Sequence, residues 1–147
     1  MLFRSGRAAI ERWSAAIHQA LRGGGAVLVT TAHDTDDLAR FRGNATAAGW
    51  DGREMAVRVE RLLREVLHPV IALPSAVIAT GGATGEVLLD LMGDAFLEIG
   101  SREILPGAPL AVVRGGEFSG LRFVTKPGSF GDEDALARMV SFLQQPA

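Results

Sequence analysis

Two stretches of the sequence place a glycine turn between a buried strand and a helix, and they constrain the fold more than any other feature. The first turn, at residues 79–86, follows the apolar run of residues 76–80. The second turn, at residues 125–132, follows the run of residues 121–125. A buried strand that leads through glycines into a helix is typical of α/β sheets, in which ligands bind beyond the carboxyl ends of the strands.

Hydrophobic periodicity predicts the other elements. Apolar side chains recur at helical spacing in some segments, and continuous or alternating apolar runs indicate strands in others. The predicted helices span residues 7–22, 53–67, 85–92 and 132–143, and the predicted strands span residues 26–31, 76–80, 95–99, 110–113 and 121–125. Residues 32–50 are predicted to be a long loop or a frayed helix start. The order of these elements predicts an α/β fold, a three-layer αβα domain with a mixed β-sheet.

Composition excludes several classes of protein. The 147 residues contain no cysteine, which excludes disulfide frameworks, zinc ribbons and thiol nucleophiles and favours a cytoplasmic location. The formal net charge is −2, whereas a nucleic-acid binder normally has an excess of basic residues. No apolar stretch approaches the ~20 residues of a membrane-spanning helix. We therefore expect no nucleic-acid and no membrane partner.

The first glycine turn has the chemistry of a phosphate site. The first N–H groups of a helix have no intrahelical acceptor, and the helix dipole places partial positive charge there. Gly81 and Gly82 let a phosphate approach the backbone, and Thr84 can cap the helix or donate its hydroxyl to a phosphate oxygen. The alternative is a turn that uses glycine only for flexibility. No Gly-Lys pair occurs in the sequence, so the turn is not a Walker A loop.

The second glycine turn carries Lys126, the one lysine among fifteen basic residues. Its ammonium could meet a phosphate as a point charge, and the alternative is a solvated surface lysine. Asp132, Glu133 and Asp134 already complement the positive end of the last helix. A phosphate is therefore predicted to meet Gly128 rather than that helix start, while the carboxylates could lie near a magnesium ion that accompanies the phosphates.

Other patterns give weaker signals. Arg-Gly-Gly-Glu-Phe at residues 114–118 is similar to the diguanylate cyclase signature, but one acidic residue is missing, and we interpret it as a hairpin turn. The acidic stretch at residues 33–37 has an incomplete calcium-loop pattern. His18 and His68 lack the spacing of a metal pair and are interpreted as packing or helix-end residues. We predict no protein-bound metal site.

Three motifs occur in a fixed order along the chain. They are Thr-Gly-Gly-Ala-Thr at residues 80–84, Ile-Leu-Pro-Gly-Ala-Pro at residues 104–109 and Lys-Pro-Gly-Ser-Phe-Gly at residues 126–131. In this order and spacing they resemble the four-carbon acid sugar kinases, and more narrowly the C-terminal nucleotide-binding domain of that family. The resemblance covers about the last 70 residues.

The resemblance implies ATP-dependent phosphorylation of threonate, erythronate or their 3-oxo forms, with ATP and magnesium as cofactors. It places the nucleotide contacts in the first turn and at the glycine of the second, and our interpretation of the second turn adds the lysine. The predicted binding residues are Gly81, Gly82, Ala83, Thr84, Lys126 and Gly128. Two departures weaken the match, because Ala83 stands where the family has an acidic residue and Pro127 where serine is common.

The length of the chain leaves no room for the N-terminal domain that binds the sugar acid in this family. We expect residues 1–147 to form a single nucleotide-binding domain, a fragment or truncated product of a two-domain kinase that binds ATP or ADP without turnover. Its expected partners are the missing domain, or a separate subunit, and further copies of itself. The alternative is a non-catalytic remnant that binds a partner or a different small anion.

Overall fold

The computed structural model describes residues 6–145, which form two compact units that divide between Val70 and Ile71. The first unit is helical and contains α1 (Arg7–Arg22), α2 (Thr35–Ala47) and α3 (Gly52–Leu67). The bounds of α1 are those predicted, and α3 begins one residue earlier than predicted. Ser14 on α1 is buried, and its hydroxyl donates a hydrogen bond of 2.8 Å to the carbonyl of Val66 on α3.

Two predictions for the first unit were wrong. Residues 26–31 form no strand, and Leu28 is 77% exposed, because a strand needs a hydrogen-bonded neighbour and no described strand pairs with this segment. Residues 32–50 contain α2 rather than a loop or a frayed helix start. Asp34 is its N-cap and accepts a hydrogen bond of 2.7 Å from the N–H of Asp37.

The second unit alternates strands and helices around one sheet. Its elements are β1 (Ala76–Thr80), α4 (Gly82–Leu91), β2 (Phe96–Leu105), β3 (Ala108–Arg114), β4 (Arg122–Lys126) and α5 (Ala135–Leu143). The strand order is β1-β4-β3-β2. The β1–β4 pair is parallel and the other two pairs are antiparallel, so the sheet is mixed, as predicted.

The two helices of this unit cover opposite faces of the sheet. Met139 of α5 packs in one buried cluster with Val124 of β4. On the other face, a Cβ added at Gly85 of α4 would lie 3.6 Å from Thr125 Cγ2 and 3.8 Å from Ala79 Cβ. Val124 and Thr125 are consecutive strand residues, so their side chains point to opposite faces. This confirms the predicted arrangement of helix, mixed sheet and helix.

Several boundaries differ from prediction in a way that matters for the site. Helix α4 begins at Gly82 instead of residue 85. Glycine is a poor helix former, but it is tolerated in the first turn, where the backbone N–H groups make no hydrogen bonds within the helix. Helix α5 begins at Ala135, three residues later than predicted. Within residues 6–145, no helix is both long and apolar enough to cross a membrane.

Candidate phosphate site at the ends of two parallel strands

The sheet places the two predicted glycine turns side by side. Strands β1 and β4 are parallel neighbours, and Thr80 and Lys126 form the last pair of their register. The N–H of Gly81, immediately beyond β1, donates a hydrogen bond of 2.9 Å to the carbonyl of Lys126. Two turns that are 45 residues apart in sequence (81 versus 126) therefore leave the same sheet edge together.

The first turn leads directly into α4 through a left-handed residue. Gly81 is the N-cap of α4, and its φ of 89° favours glycine. No described side chain caps this helix and its first turn has no acidic residue, so Thr84 is not the cap that the sequence allowed. The N–H groups of Gly82, Ala83 and Thr84 have no hydrogen-bond acceptor within residues 6–145.

Space as well as polarity favours an anion at this helix start. Gly82 is exposed, and a Cβ added there would meet no heavy atom within 4 Å, so there is open space beside this helix start. Gly85, one turn further on, is buried against β1 and β4 and holds α4 close to the sheet. The open N–H groups and the positive end of the helix dipole therefore lie on a fixed element.

Of the two environments that the sequence suggested for Lys126, the structure contradicts the solvated one. Its side chain is only 8% exposed, so it is not a solvated surface lysine. Its ammonium donates hydrogen bonds of 3.1 Å to the carbonyl of Pro127 and 3.3 Å to the carbonyl of Gly128. No carboxylate among the described residues forms an ion pair with it. A buried cation whose protein partners are neutral leaves its charge available to an anion.

The ammonium also orients the peptide groups of the second turn. A planar trans peptide directs its N–H and its carbonyl to opposite sides. Because the carbonyls of Pro127 and Gly128 face the ammonium, the N–H groups of Gly128 and Ser129 point away from it. Neither N–H has an acceptor in the described part of the chain. The turn thus presents donors outward, as an anion site requires.

The end of the second turn requires glycine for two reasons. Gly131 has a φ of 94°, and a Cβ there would lie 2.6 Å from Ala135 Cβ and 3.6 Å from Lys126 Cε. Beyond it, the Asp132 carboxylate accepts hydrogen bonds from the Arg138 guanidinium, which lowers the pKa of Asp132 below its ordinary value. This carboxylate is thus engaged with Arg138.

The proline-glycine turn between β2 and β3 lies against the second glycine turn. Pro106 and Gly107 connect β2 to β3, with Gly107 at a φ of 76° and its N–H donating a hydrogen bond to the Glu103 carboxylate. A Cβ added at Gly107 would lie 3.9 Å from both Pro127 Cγ and Phe130 Cδ1. The second and third motifs are therefore adjacent, a proximity that the sequence interpretation did not anticipate.

The remaining candidates do not join this site. Strand β3 ends at Arg114, and the following residues turn towards β4 with positive φ at Gly115 and Gly116. Residues 114–118 therefore belong to a hairpin turn, as interpreted from the sequence. At the acidic stretch, the Asp37 carboxylate accepts a hydrogen bond from the His33 N–H and pairs with Arg40, and both lower its pKa. In residues 6–145, no three His, Asp or Glu side chains are grouped so that they could hold a metal ion.

An open groove of about 550 Å³ lies elsewhere on the second unit, between the end of β2 and α5. Ile104, Arg138 and Phe142 contribute to its walls, and none of the predicted binding residues does. The predicted site is instead an open surface formed by backbone groups.

With this geometry in place, the family of the chain follows from comparison. Residues 2–136 match the family model described as the nucleotide-binding C-terminal domain. The chain belongs to this family. The match extends across nearly the whole chain, well beyond the last 70 or so residues that carried the resemblance in the sequence, and it includes both compact units.

Two curated relatives are kinases of sugar acids. The chain is 38% identical over 136 residues to a 3-oxo-isoapionate kinase of Paraburkholderia graminis, covering 88% of this chain and 28% of the relative. It is 30% identical over 134 residues to a D-threonate kinase of Bordetella bronchiseptica, covering 90% of this chain and 30% of the relative. These relatives confirm the resemblance to the C-terminal domain of four-carbon acid sugar kinases, and the chain spans less than a third of their length.

A solved structure has the same fold. It is a domain of unknown function from Bordetella bronchiseptica, crystallised with bound citrate as a domain-swapped dimer. Its TM-score is 0.52 at 27% sequence identity, and the alignment covers 92% of this chain and 36% of that one. Only this part of the larger chain corresponds to the protein described above.

Proposed function

We propose that the two glycine turns bind the phosphates of ATP or ADP, and that the chain is the nucleotide-binding part of a kinase for four-carbon sugar acids. The observation that carries this proposal is the hydrogen bond from Gly81 N–H to the Lys126 carbonyl, which joins the turns at one sheet edge. The family description and the names of the two relatives support it. The acid is of the threonate, erythronate or 3-oxo-tetronate type.

Each part of the site supplies one component of phosphate binding. The N–H groups of Gly82, Ala83 and Thr84 donate to phosphate oxygens, aided by the dipole of α4. The N–H of Gly128, which points away from the Lys126 ammonium, donates from the second turn. The ammonium adds its positive charge from the opposite side of that turn. Fixed donors of this kind stabilise the charge that develops on a transferred phosphoryl group.

Magnesium fits this site through the nucleotide rather than through a protein cage. It usually binds one or two carboxylates together with substrate phosphates and water. Of the acidic residues beside the second turn, Asp132 is paired with Arg138, whereas Glu133 and Asp134 make no described ion pair. When bound, the ion would neutralise phosphate charge, and Glu133 or Asp134 could supply a single ligand.

We propose that the chain binds nucleotide without phosphorylating an acid on its own. It corresponds to 28% and 30% of the lengths of the two kinases, and transfer requires both reactants to be held in one site. The partner that completes the reaction is the sugar-acid-binding domain or a separate subunit. The cytoplasmic location predicted from the lack of cysteine suits such a reaction and stays a prediction.

We also propose that the chain self-associates. The Bordetella structure is a domain-swapped dimer, and Leu28 and Val29 of this chain are 77% and 39% exposed. Exposed apolar segments favour association between copies. Light scattering of the purified chain should give at least the mass of a dimer, and a monomer at high concentration would contradict this.

The test of nucleotide binding is a thermal shift with a matched pair of glycine variants. At a hundredfold excess over Kd, a ligand selective for the folded state contributes about 2.7 kcal/mol, which should raise the Tm by about 5 °C or more. Gly82→Val should abolish the shift by blocking the approach of the phosphate. Gly52→Val is the control, because Gly52 is also the first residue of a helix and an added Cβ there also meets nothing within 4 Å.

Gly52→Val should keep the whole shift, as should Arg114→Ala, whose guanidinium pairs with Glu98 at the opposite end of β3. A wild-type chain that shows no shift with millimolar nucleotide and magnesium would overturn the proposal. A shift of full size in Gly82→Val would remove the helix start from the site.

A further inference from the structure

Phe130 is an exposed aromatic side chain on the second glycine turn. It is 57% exposed, whereas Phe118 and Phe123 are 9% and 0% exposed. The turn itself is ordered by a hydrogen bond of 3.1 Å from the Phe130 N–H to the Pro127 carbonyl. The exposed ring therefore stands on a fixed backbone, two residues from Gly128.

The ring lies beside the turn at Gly107 and is more than half exposed. Its Cδ1 lies 3.9 Å from the position of a Cβ at Gly107, and Pro127 Cγ lies at the same distance from that position. Phe130, Pro127 and the turn at Gly107 thus form one small apolar surface beside the open N–H groups of the second turn. A neutral apolar surface does not attract phosphate, but it suits the uncharged base that a nucleotide carries on its phosphates.

We propose that Phe130 is the stacking platform for the base of the bound nucleotide, an inference that rests on the proposed nucleotide site. Stacking on an aromatic ring needs no hydrogen-bond partner, because every base has a π-face. In this arrangement the glycine turns bind the phosphates, and Phe130 distinguishes a nucleotide from a bare polyphosphate. Phe130 is then a specificity residue that makes no contact with the transferred phosphoryl group.

The experiment compares two ligands, magnesium ADP and magnesium tripolyphosphate, by calorimetric titration of the full chain. Removing a stacked ring typically costs enough free energy to weaken binding about tenfold. Phe130→Ala should therefore weaken ADP binding about tenfold and leave the Kd for tripolyphosphate unchanged. Phe130→Trp, which keeps an aromatic face, should bind ADP as tightly as the wild type does.

The control is Phe96→Ala, because Phe96 is 63% exposed and stands beside Gly115, which also has a positive φ, at the opposite end of the β2–β3 pair. It should leave both affinities unchanged. An unchanged ADP affinity in Phe130→Ala, or an equal loss for both ligands, would overturn the role of Phe130 while the phosphate site stands. If the wild-type chain bound neither ligand, the proposed function would be overturned together with this inference.

Discussion

Lys126 shows how one residue can determine the shape of a binding turn. Its buried ammonium satisfies the carbonyls of Pro127 and Gly128 and so turns the neighbouring N–H groups outward. An ammonium is a compact donor on a flexible stem, whereas a guanidinium is a wide planar fork. This difference explains why a lysine stands here in a chain whose other fourteen basic residues are arginine.

Replacing Lys126 should destabilise the turn. In Lys126→Met the Gly128 carbonyl loses its ammonium donor and the Pro127 carbonyl keeps only its hydrogen bond from the Phe130 N–H, and each lost hydrogen bond typically costs about 0.5–1.5 kcal/mol. Lys126→Arg should not restore the lost stability, because the larger head does not fit a site that is 8% exposed. Urea denaturation measures both effects, and wild-type stability in Lys126→Met would show that the carbonyls do not depend on the ammonium.

Gly131 allows the cost of a steric clash to be separated from the cost of backbone strain. Gly131 and Gly120 have φ values of 94° and 97°, but only at Gly131 would a Cβ meet another atom, Ala135 Cβ, at 2.6 Å. Gly120→Ala should lower the free energy of unfolding by about 1–2 kcal/mol through strain alone. Gly131→Ala should lower it by a further 1–3 kcal/mol, roughly the cost of overpacking. Equal losses in the two variants would mean that the clash relaxes freely.

The pairing of Asp132 with Arg138 gives a pH prediction. The guanidinium favours the charged carboxylate, so the pKa of Asp132 in the folded protein lies below its ordinary value of about 4. The stabilising contribution is present above pH ~4 and is lost as the pH falls through the lowered pKa. Carbon-detected NMR titration should show this low pKa in the wild type and an ordinary one in Arg138→Met. An identical titration midpoint in both would contradict the pairing.

At the scale of elements, the first unit depends on a hydrogen bond between two helices. The Ser14 hydroxyl reaches the Val66 carbonyl in the last turn of α3, where helical carbonyls lack intrahelical donors. Ser14→Ala should lower the free energy of unfolding by about 1–3 kcal/mol, because the carbonyl stays buried without its partner. Ser141→Ala, at an exposed position on α5, is the control and should change stability by less than about 0.5 kcal/mol.

Elements with a strong local signal could be predicted from the sequence. Helix α1 has a clear apolar stripe and a glycine exit, and its bounds were predicted correctly. Strand β1 was also predicted with its observed bounds, because glycine and proline delimit an apolar β-branched run. The existence of both glycine turns followed from the same local signals.

Features that depend on distant partners could not be predicted in this way. Residues 26–31 have the composition of a buried strand, but composition does not state whether a hydrogen-bonded neighbour exists. The contact between the two glycine turns depends on the pairing of β1 with β4, and the proximity of Gly107 to Phe130 depends on the pairing of β3 with β4. The positions of the turns along the chain follow from local sequence, whereas their proximity follows from the strand order of the sheet.

In the molecule as a whole, the proposed function depends on two turns that act as one site. The chain matches the family of nucleotide-binding C-terminal domains over residues 2–136 and spans less than a third of the length of the two sugar-acid kinases. Its function is therefore tested by binding rather than by turnover. If the two turns form one site, both must respond to the same ligand over the same concentration range.

The most direct measurement is an amide ¹H–¹⁵N NMR titration of the full chain with magnesium ADP. The resonances of Gly82, Ala83, Thr84 and Gly128 should shift together and fit a single Kd, because their N–H groups contact one chain of phosphates. Resonances of Gly52 and Gly120, which are not among the proposed phosphate contacts, should remain in place. Shifts confined to one turn, two different Kd values, or shifts centred on the groove beside α5 would contradict the account.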